Sequence, residues 1–277
     1  MPEDRYEIFA IRYARVDRQR PDNFLAGDPH DGPMPLDYFV WVVRNSERTI
    51  VVDTGFDGPM AERRGREVLT PVADGLKTIG VTPDAVEDVI VTHLHYDHAG
   101  NHDLFNGARF HLQDAEMAYA TGRCMCHGLL RVPFELDDVL AMVRKVYAGR
   151  VVFHDGEAEV FPGITVHRVG GHSKGLQVVR VNTQRGWVVL ASDASHFYEH
   201  IEKGRAFPIV HNIEALLEGY RTVNRLAPSP DHIIPGHDPL VLERYPPAAR
   251  GLEGIAARLD VEPVRADSAA RRKRAPV

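Results

Sequence analysis

The chain has 277 residues, 44% hydrophobic and 26% charged, with a formal net charge of −6, a globular composition in a length that suits one large domain or two small ones. The acidic balance argues against a nucleic-acid partner, which needs a basic field over one face. No stretch reaches the roughly 18 apolar residues that span a bilayer, and two cysteines cannot build a disulfide framework. The start, MPEDRYEIFA, lacks the basic-then-apolar pattern of a secretory signal, so a cytoplasmic protein is expected.

In chain order, YFVWVVRN (38–45) and RTIVVDTG (48–55) are rich in β-branched and aromatic residues on either side of a polar turn, and predict a hairpin that leaves Asp53 and Gly55 at a strand end. TPDAVEDVIVTH predicts a short helix capped by Thr82, with Pro83 at its first position, then a strand over Val89 to Thr92. QDAEMAYATG (113–122) reads as a helix capped by Asp114. Cys124 and Cys126 in RCMC stand closer than the two-residue gap of zinc or redox pairs and read as free thiols in a helix or lid. ELDDVLAMVRKVYAG places Val139, Leu140, Val143, Val146 and Tyr147 at helical spacing, with Gly149 as the stop. GITVHRVGG, LQVVRVN and WVVLASD read as short strands. NIEALLEGYRTVNRLAPSP is an amphipathic helix from Asn212 to Pro228, and DHIIPGHDP a last strand running into a loop. The order suggests central sheets with helices outside: one domain over 1–262, a lid or helical insertion around 117–150, and a flexible basic tail over 263–277 that contains RRKR.

The chemistry concentrates in VTHLHYDHAGN (91–101), where His93, His95, Asp97 and His98 fall within six positions. Neutral imidazole is the commonest side-chain metal ligand, and carboxylate oxygen joins it. In extended chain His93 and His95 point the same way and grip one ion together. Asp97 and His98 serve together only where the backbone turns, which Ala99 and Gly100 permit, so the motif splits into one pair for each of two sites. Two ligands do not hold a metal firmly. His172 in GGHSKG, Asp193 in LASDAS and His237 in IPGHDP each follow a predicted strand or lie in a Gly-rich turn, where they would meet the first group at one sheet edge.

HLHYDH followed by His172, Asp193 and His237 at these separations resembles the metallo-β-lactamase superfamily, over most of the chain from VVDTGFD to IPGHDP. The resemblance implies an αβ/βα sandwich of two mixed β-sheets flanked by helices. It implies two divalent ions, zinc first, with manganese, iron or cobalt possible. His93, His95 and His172 would hold one ion, Asp97, His98 and His237 the other, and Asp193 would bridge them. Asp53 is a plausible partner for a ligand imidazole. True β-lactamases generally lack the bridging aspartate, flavodiiron oxidases carry Glu where His95 stands, and tRNA-processing nucleases need a basic exosite. Glyoxalase II-type thioesterases share all seven ligands and remain a rival.

Within the superfamily, HLHYDHAGN, RFHLQDAE, ASDASHFYE and IIPGHDP read like the N-acyl-homoserine lactonase group. That resemblance implies ring opening of a lactone, in the quorum-quenching manner, by a metal-bridging hydroxide that Asp97 helps to orient. The group's best-known members carry a tyrosine three positions after the bridging aspartate. Here that position is His196, with Tyr198 two further on, and either is a candidate proton donor. Phe24, Met34, Phe56, Met117, Leu129, Phe134 and Phe207 are candidates to line an acyl site. The partner implied is a small lactone or ester, without nucleic acid or membrane, and the chain is a possible homodimer.

Overall fold

Glu7–Val16 and Leu36–Arg44 are apolar or buried at nearly every position, a pattern suited to strands covered on both faces. Alternate residues go to different cores. Ile8, Ala10, Trp41 and Val43 face one, while Phe9, Ile11, Val40 and Val42 face another. The computed structural model describes residues 4–264, so the expected tail from 265 onward lies outside the described residues.

The strands in chain order are β1 (Glu7–Val16), β2 (Leu36–Arg44), β3 (Thr49–Val52), β4 (Glu67–Val68), β5 (Asp88–Ile90), β6 (Arg109–Gln113), β7 (Val151–His154), β8 (Glu157–Phe161), β9 (Ile164–Arg168), β10 (Gln177–Thr183), β11 (Gly186–Ser192), β12 (Ile233–Pro235) and β13 (Ala256–Arg258). One sheet runs β13-β1-β2-β3-β5-β6-β7 with β4 on β1, the other β12-β11-β10-β9-β8. Both are mixed. β3, β5, β6 and β7 are parallel, as are β11 and β12, and the other pairs are antiparallel. Val52 and Val181 lie in the core between the sheets, and helix Ile213–Leu226 covers the outer face of the second sheet through Leu216, Tyr220 and Val223. This is the expected αβ/βα sandwich. Among the described residues no helix is long and apolar enough to cross a membrane.

The predicted hairpin is β2–β3. Asn212 caps its helix by accepting the Ala215 N–H at 2.9 Å, and Gly149 stops the helix Leu136–Tyr147 with φ 70°. Two expectations are corrected. After Thr82 there is only a 3-10 turn, Pro83–Ala85, because Val86 is already extended to enter β5. Asp114 is the first helical residue rather than the cap, a position held by Gln113, whose amide instead bonds Gly156 and Gln177 across the sheets. β1, β4, β6, β7, β8 and β13 are additional to the strands the sequence suggested.

Asp138, near the start of helix Leu136–Tyr147, is buried, and burial together with the nearby carboxylates Glu135, Asp137 and Asp57 pushes its pKa up to about 7. A carboxyl with a raised folded-state pKa contributes stability that is fully present below its unfolded-state pKa and is lost as pH rises toward 7. Asp138→Asn is therefore expected to flatten the fall in stability between about pH 4 and 7, and to gain up to about 4 kcal/mol over the parent at pH 8. Urea unfolding at pH 5 and pH 8 reads this directly; parallel curves for the two proteins would mean that Asp138 ionises at its ordinary pH.

Candidate metal centre

Because β3 runs parallel to β5, and β11 parallel to β12, the chain leaves both pairs in the same direction, and ligands gather beyond such carboxyl ends. Asp53 follows β3 with φ 61°, and Ser192 ends β11 with φ 45°. Positive φ is uncommon outside glycine and strains the backbone, which is tolerated where a turn must aim a side chain. His93 and His95 lie in the loop past β5, beyond the strand end expected for them. Asp97 and His98 sit in a single helical turn, Tyr96–Ala99. At Gly236 a Cβ would stand 2.7 Å from Asp193 Oδ1, so only glycine lets β12 pass this close before it delivers His237.

All seven residues named from the sequence come together, buried. His93, His95 and His172 offer ligand atoms within 4.8 Å of one another, as do Asp97, His98 and His237, and His93, His98 and Asp193. The two oxygens of Asp193 are shared between the sets. Oδ1 is 3.3 Å from His98 Nε2 and 3.1 Å from His237 Nε2, which also lies 3.3 Å from Oδ2, while Oδ2 is 3.2 Å from His172 Nε2 and 4.0 Å from His93 Nε2. Asp97 Oδ2 lies 3.7 Å from His98 Nε2 and 3.8 Å from His237 Nε2.

The far side of four rings is tied to oxygen. His98 Nδ1 is 2.7 Å from Asp53 Oδ2, His172 Nδ1 is 2.7 Å from the Ile209 carbonyl, and His237 Nδ1 is 2.9 Å from the Asp37 carbonyl. His93 Nδ1 is 3.1 Å from Thr92 Oγ1, which also lies 2.8 Å from Asp53 Oδ2 and 2.9 Å from Ser192 Oγ. An oxygen acceptor at Nδ1 keeps the ring proton on that nitrogen, which donates to it, and leaves the Nε2 lone pair free for a metal. Asp53 therefore anchors both His98 and, through Thr92, His93.

The arrangement fits a cation. His93 Nε2 and His172 Nε2 face each other at 3.1 Å, two lone pairs in contact if both rings are neutral. Burial holds His93 well below the ordinary imidazole range, so its own protonation is disfavoured there. His98 Nε2 and Asp193 Oδ1 are buried without a hydrogen-bond partner among the described residues. Burial opposes the charge on His98 and on His237 as well, yet Asp193 and Asp97 raise both. Burial likewise opposes ionisation of Asp193, but His237, His98, His196 and His172 hold it well below the carboxylate range. An anionic carboxylate among imidazoles whose other nitrogens are occupied is a donor set of N and O without thiolate, suited to zinc and its divalent neighbours.

The two proton-donor candidates part company. His196 Nε2 lies 3.0 Å from Asp193 Oδ2, and its ring stacks on Phe207 at 3.7 Å. Tyr198 does not reach the cluster: it opens helix Tyr198–Lys203, packs in the core between the sheets beneath Arg244, and its buried hydroxyl has no hydrogen-bond partner among the described residues. Of the suggested lining residues, Phe134 stands edge-on to His95 at 4.6 Å and Leu129 lines the cavity beside His95 and His172. Phe56 belongs to the first core, with Met117 packed against it. Phe24 is buried under Arg205 and Met34 lies near Arg20, neither in contact with the cluster.

Sequence reasoning missed Glu116. Fully buried, it accepts from Leu94 N at 2.9 Å, Ser173 Oγ at 2.5 Å and Gly175 N at 2.8 Å, and so joins the loop between His93 and His95 to the loop after His172. A Glu in the first turn of a helix reads as a solvated dipole partner; only the fold turns it inward. Tyr119 and His211, which line the same cavity as His95 and His172, gave no signal either.

The model of the metallo-beta-lactamase superfamily matches residues 34–237, well over half of the chain. The chain belongs to that superfamily, and within it is a hydrolase similar to the N-acyl homoserine lactonases. The N-acyl homoserine lactonase of Bacillus cereus is 28% identical over 182 residues, 60% of this chain and 67% of the relative. AiiB of Agrobacterium fabrum, also an N-acyl homoserine lactonase, is 27% identical over 173 residues, 56% of this chain and 62% of the relative. Among solved structures, a quorum-quenching N-acyl homoserine lactone lactonase superimposes with a TM-score of 0.70 at 25% identity, over 86% of this chain and 94% of that one.

Proposed function

We propose that this chain opens the ring of N-acyl homoserine lactones with two divalent metal ions. His93, His95 and His172 would hold one, Asp97, His98 and His237 the other, with Asp193 between them. The observation that carries the reading is the buried Asp193 carboxylate, which lies within 3.3 Å of His98, His237 and His172 and 4.0 Å from His93, so that one anion touches both sets. The similarity to lactonases supports the substrate class.

When bound, such ions supply Lewis acidity to an ester carbonyl and bring the pKa of water from 15.7 to about 7. The chain's own residues supply the rest. The Nδ1 contacts hold the imidazoles in one tautomer and one orientation. Asp97, whose backbone carbonyl accepts from the Tyr13 hydroxyl at 2.9 Å, is the candidate to accept a hydrogen bond from the attacking water through its carboxylate. His196, held in plane by Phe207, is the candidate to pass a proton to the leaving ring oxygen, a role worth about 10²–10⁴ in rate.

The test is a pH-stat assay over homoserine lactones, simple lactones and glutathione thioesters, with metal content measured on the same sample. Homoserine lactones are expected to be opened fastest. Chelation should abolish turnover and lower the thermal midpoint by several degrees, and zinc should restore both. Faster cleavage of the thioester would move the chain to the glyoxalase II type, and full activity without metal would remove the mechanism.

A further inference from the structure

Next to His95 and His172 lies a cavity of about 130 Å³, and beyond it a larger, mostly apolar one of about 430 Å³ framed by Met125, Val132, Phe134, Leu136 and Val139. Val132 lines both. Phe134, in the wall of the outer cavity, is also the ring set against His95. Along this path the apolar side chains are wet: Leu129 is 86% exposed, Val132 60% and Leu136 71%. The charged groups at its border are already engaged, Glu135 by Arg64 and Arg131 by the Met125 carbonyl. A run of exposed apolar side chains that starts at a reactive site and has no free charge beside it is where an alkyl chain gains most by binding.

From this path we infer that the substrates carry a long unbranched acyl arm, which runs from the His95 and His172 edge over Val132 into the outer cavity. The inference rests on the lactonase reading and narrows it to long-chain homoserine lactones. The occupant is the substrate's own arm because the path is continuous with the metal centre. Tyr119 and His211 border the inner cavity, where the amide of such an arm would pass, and no hydrogen bond occupies the Tyr119 hydroxyl among the described residues.

Burying one methylene is worth about 0.8 kcal/mol, roughly a three- to four-fold gain in kcat/KM per carbon while the path lasts. Between butanoyl- and dodecanoyl-homoserine lactone, kcat/KM is expected to rise at least about 100-fold. Val132→Asp places a charge on the path at an exposed position where folding is not at stake, and is expected to lower the dodecanoyl-to-butanoyl ratio at least about ten-fold. Calorimetry with dodecanoate and butanoate reads the path without turnover: dodecanoate should bind more tightly to the parent, and Val132→Asp should lose that margin. If homoserine lactones are opened at rates indifferent to chain length, or the variant keeps the parent's ratio, the acyl path falls and the lactonase reading stands. If no homoserine lactone is opened but dodecanoate still binds through Val132, the lactonase reading falls and the path remains. Equal binding of the two acids to the parent overturns the path in either case.

Discussion

Asp193→Ala is expected to lower kcat/KM by about 10³-fold or more and to strip the protein of tightly held metal. The reason is positional. Asp193 alone offers oxygen to both imidazole sets, within 3.3 Å of His98, His237 and His172. Its anion, together with Asp97, also raises His98 and His237 against the effect of burial. Without it, each set keeps its imidazoles but loses the negative charge that offsets a divalent ion in a buried space. Metal per chain, by atomic emission after gel filtration, and the zinc-dependent rise in thermal midpoint should fall together. Asp193→Asn, which keeps the shape and removes the charge, separates the two contributions. A variant with the parent's metal content and turnover would show that the two halves of the site do not depend on a shared carboxylate.

The second large effect is expected one step back from the centre. Asp53 is fully buried and accepts three hydrogen bonds, from Thr92 N at 2.7 Å, Thr92 Oγ1 at 2.8 Å and His98 Nδ1 at 2.7 Å. Burial pushes its pKa up, and the contacts with His98 and Thr92 pull against that. Asp53→Ala leaves three donors without an acceptor in the interior, a loss of about 3–5 kcal/mol in stability. It also frees the His98 ring, for which about 10- to 100-fold weaker metal binding is expected. Urea unfolding of the metal-free protein measures the first effect, and competition for zinc against a chromophoric chelator the second. Lower stability with unchanged zinc affinity would reduce Asp53 to a turn residue with no part in aiming His98.

Much of this site is written along the chain. Val and aromatic residues at consecutive positions in YFVWVV specify strands covered on both faces, and these form the core between the sheets and the core outside the first. The ligand types are equally legible, because imidazole and carboxylate side chains beside small residues have few uses other than metal in such density. Strands that mix charge with apolar residues were not legible: RFHLQ and EAEVF become strands only because a neighbour supplies the ladder.

Direction was decided by tertiary structure alone. His196 and Tyr198 stand three and five positions after Asp193, equally plausible from spacing. The turn that follows β11 brings His196 back onto Asp193, whereas Asp238 accepts the Tyr198 N–H at 2.9 Å and the helix that starts there carries the phenol into the core. Glu116 is the converse, a helical carboxylate drawn inward because Gly175, where a Cβ would meet Glu116 N at 2.1 Å, lets the His172 loop close over it. Residue type thus determined which chemistry is available to this protein. Because side-chain direction has no fixed period once the chain leaves strand or helix, only the packed loops decided which groups meet.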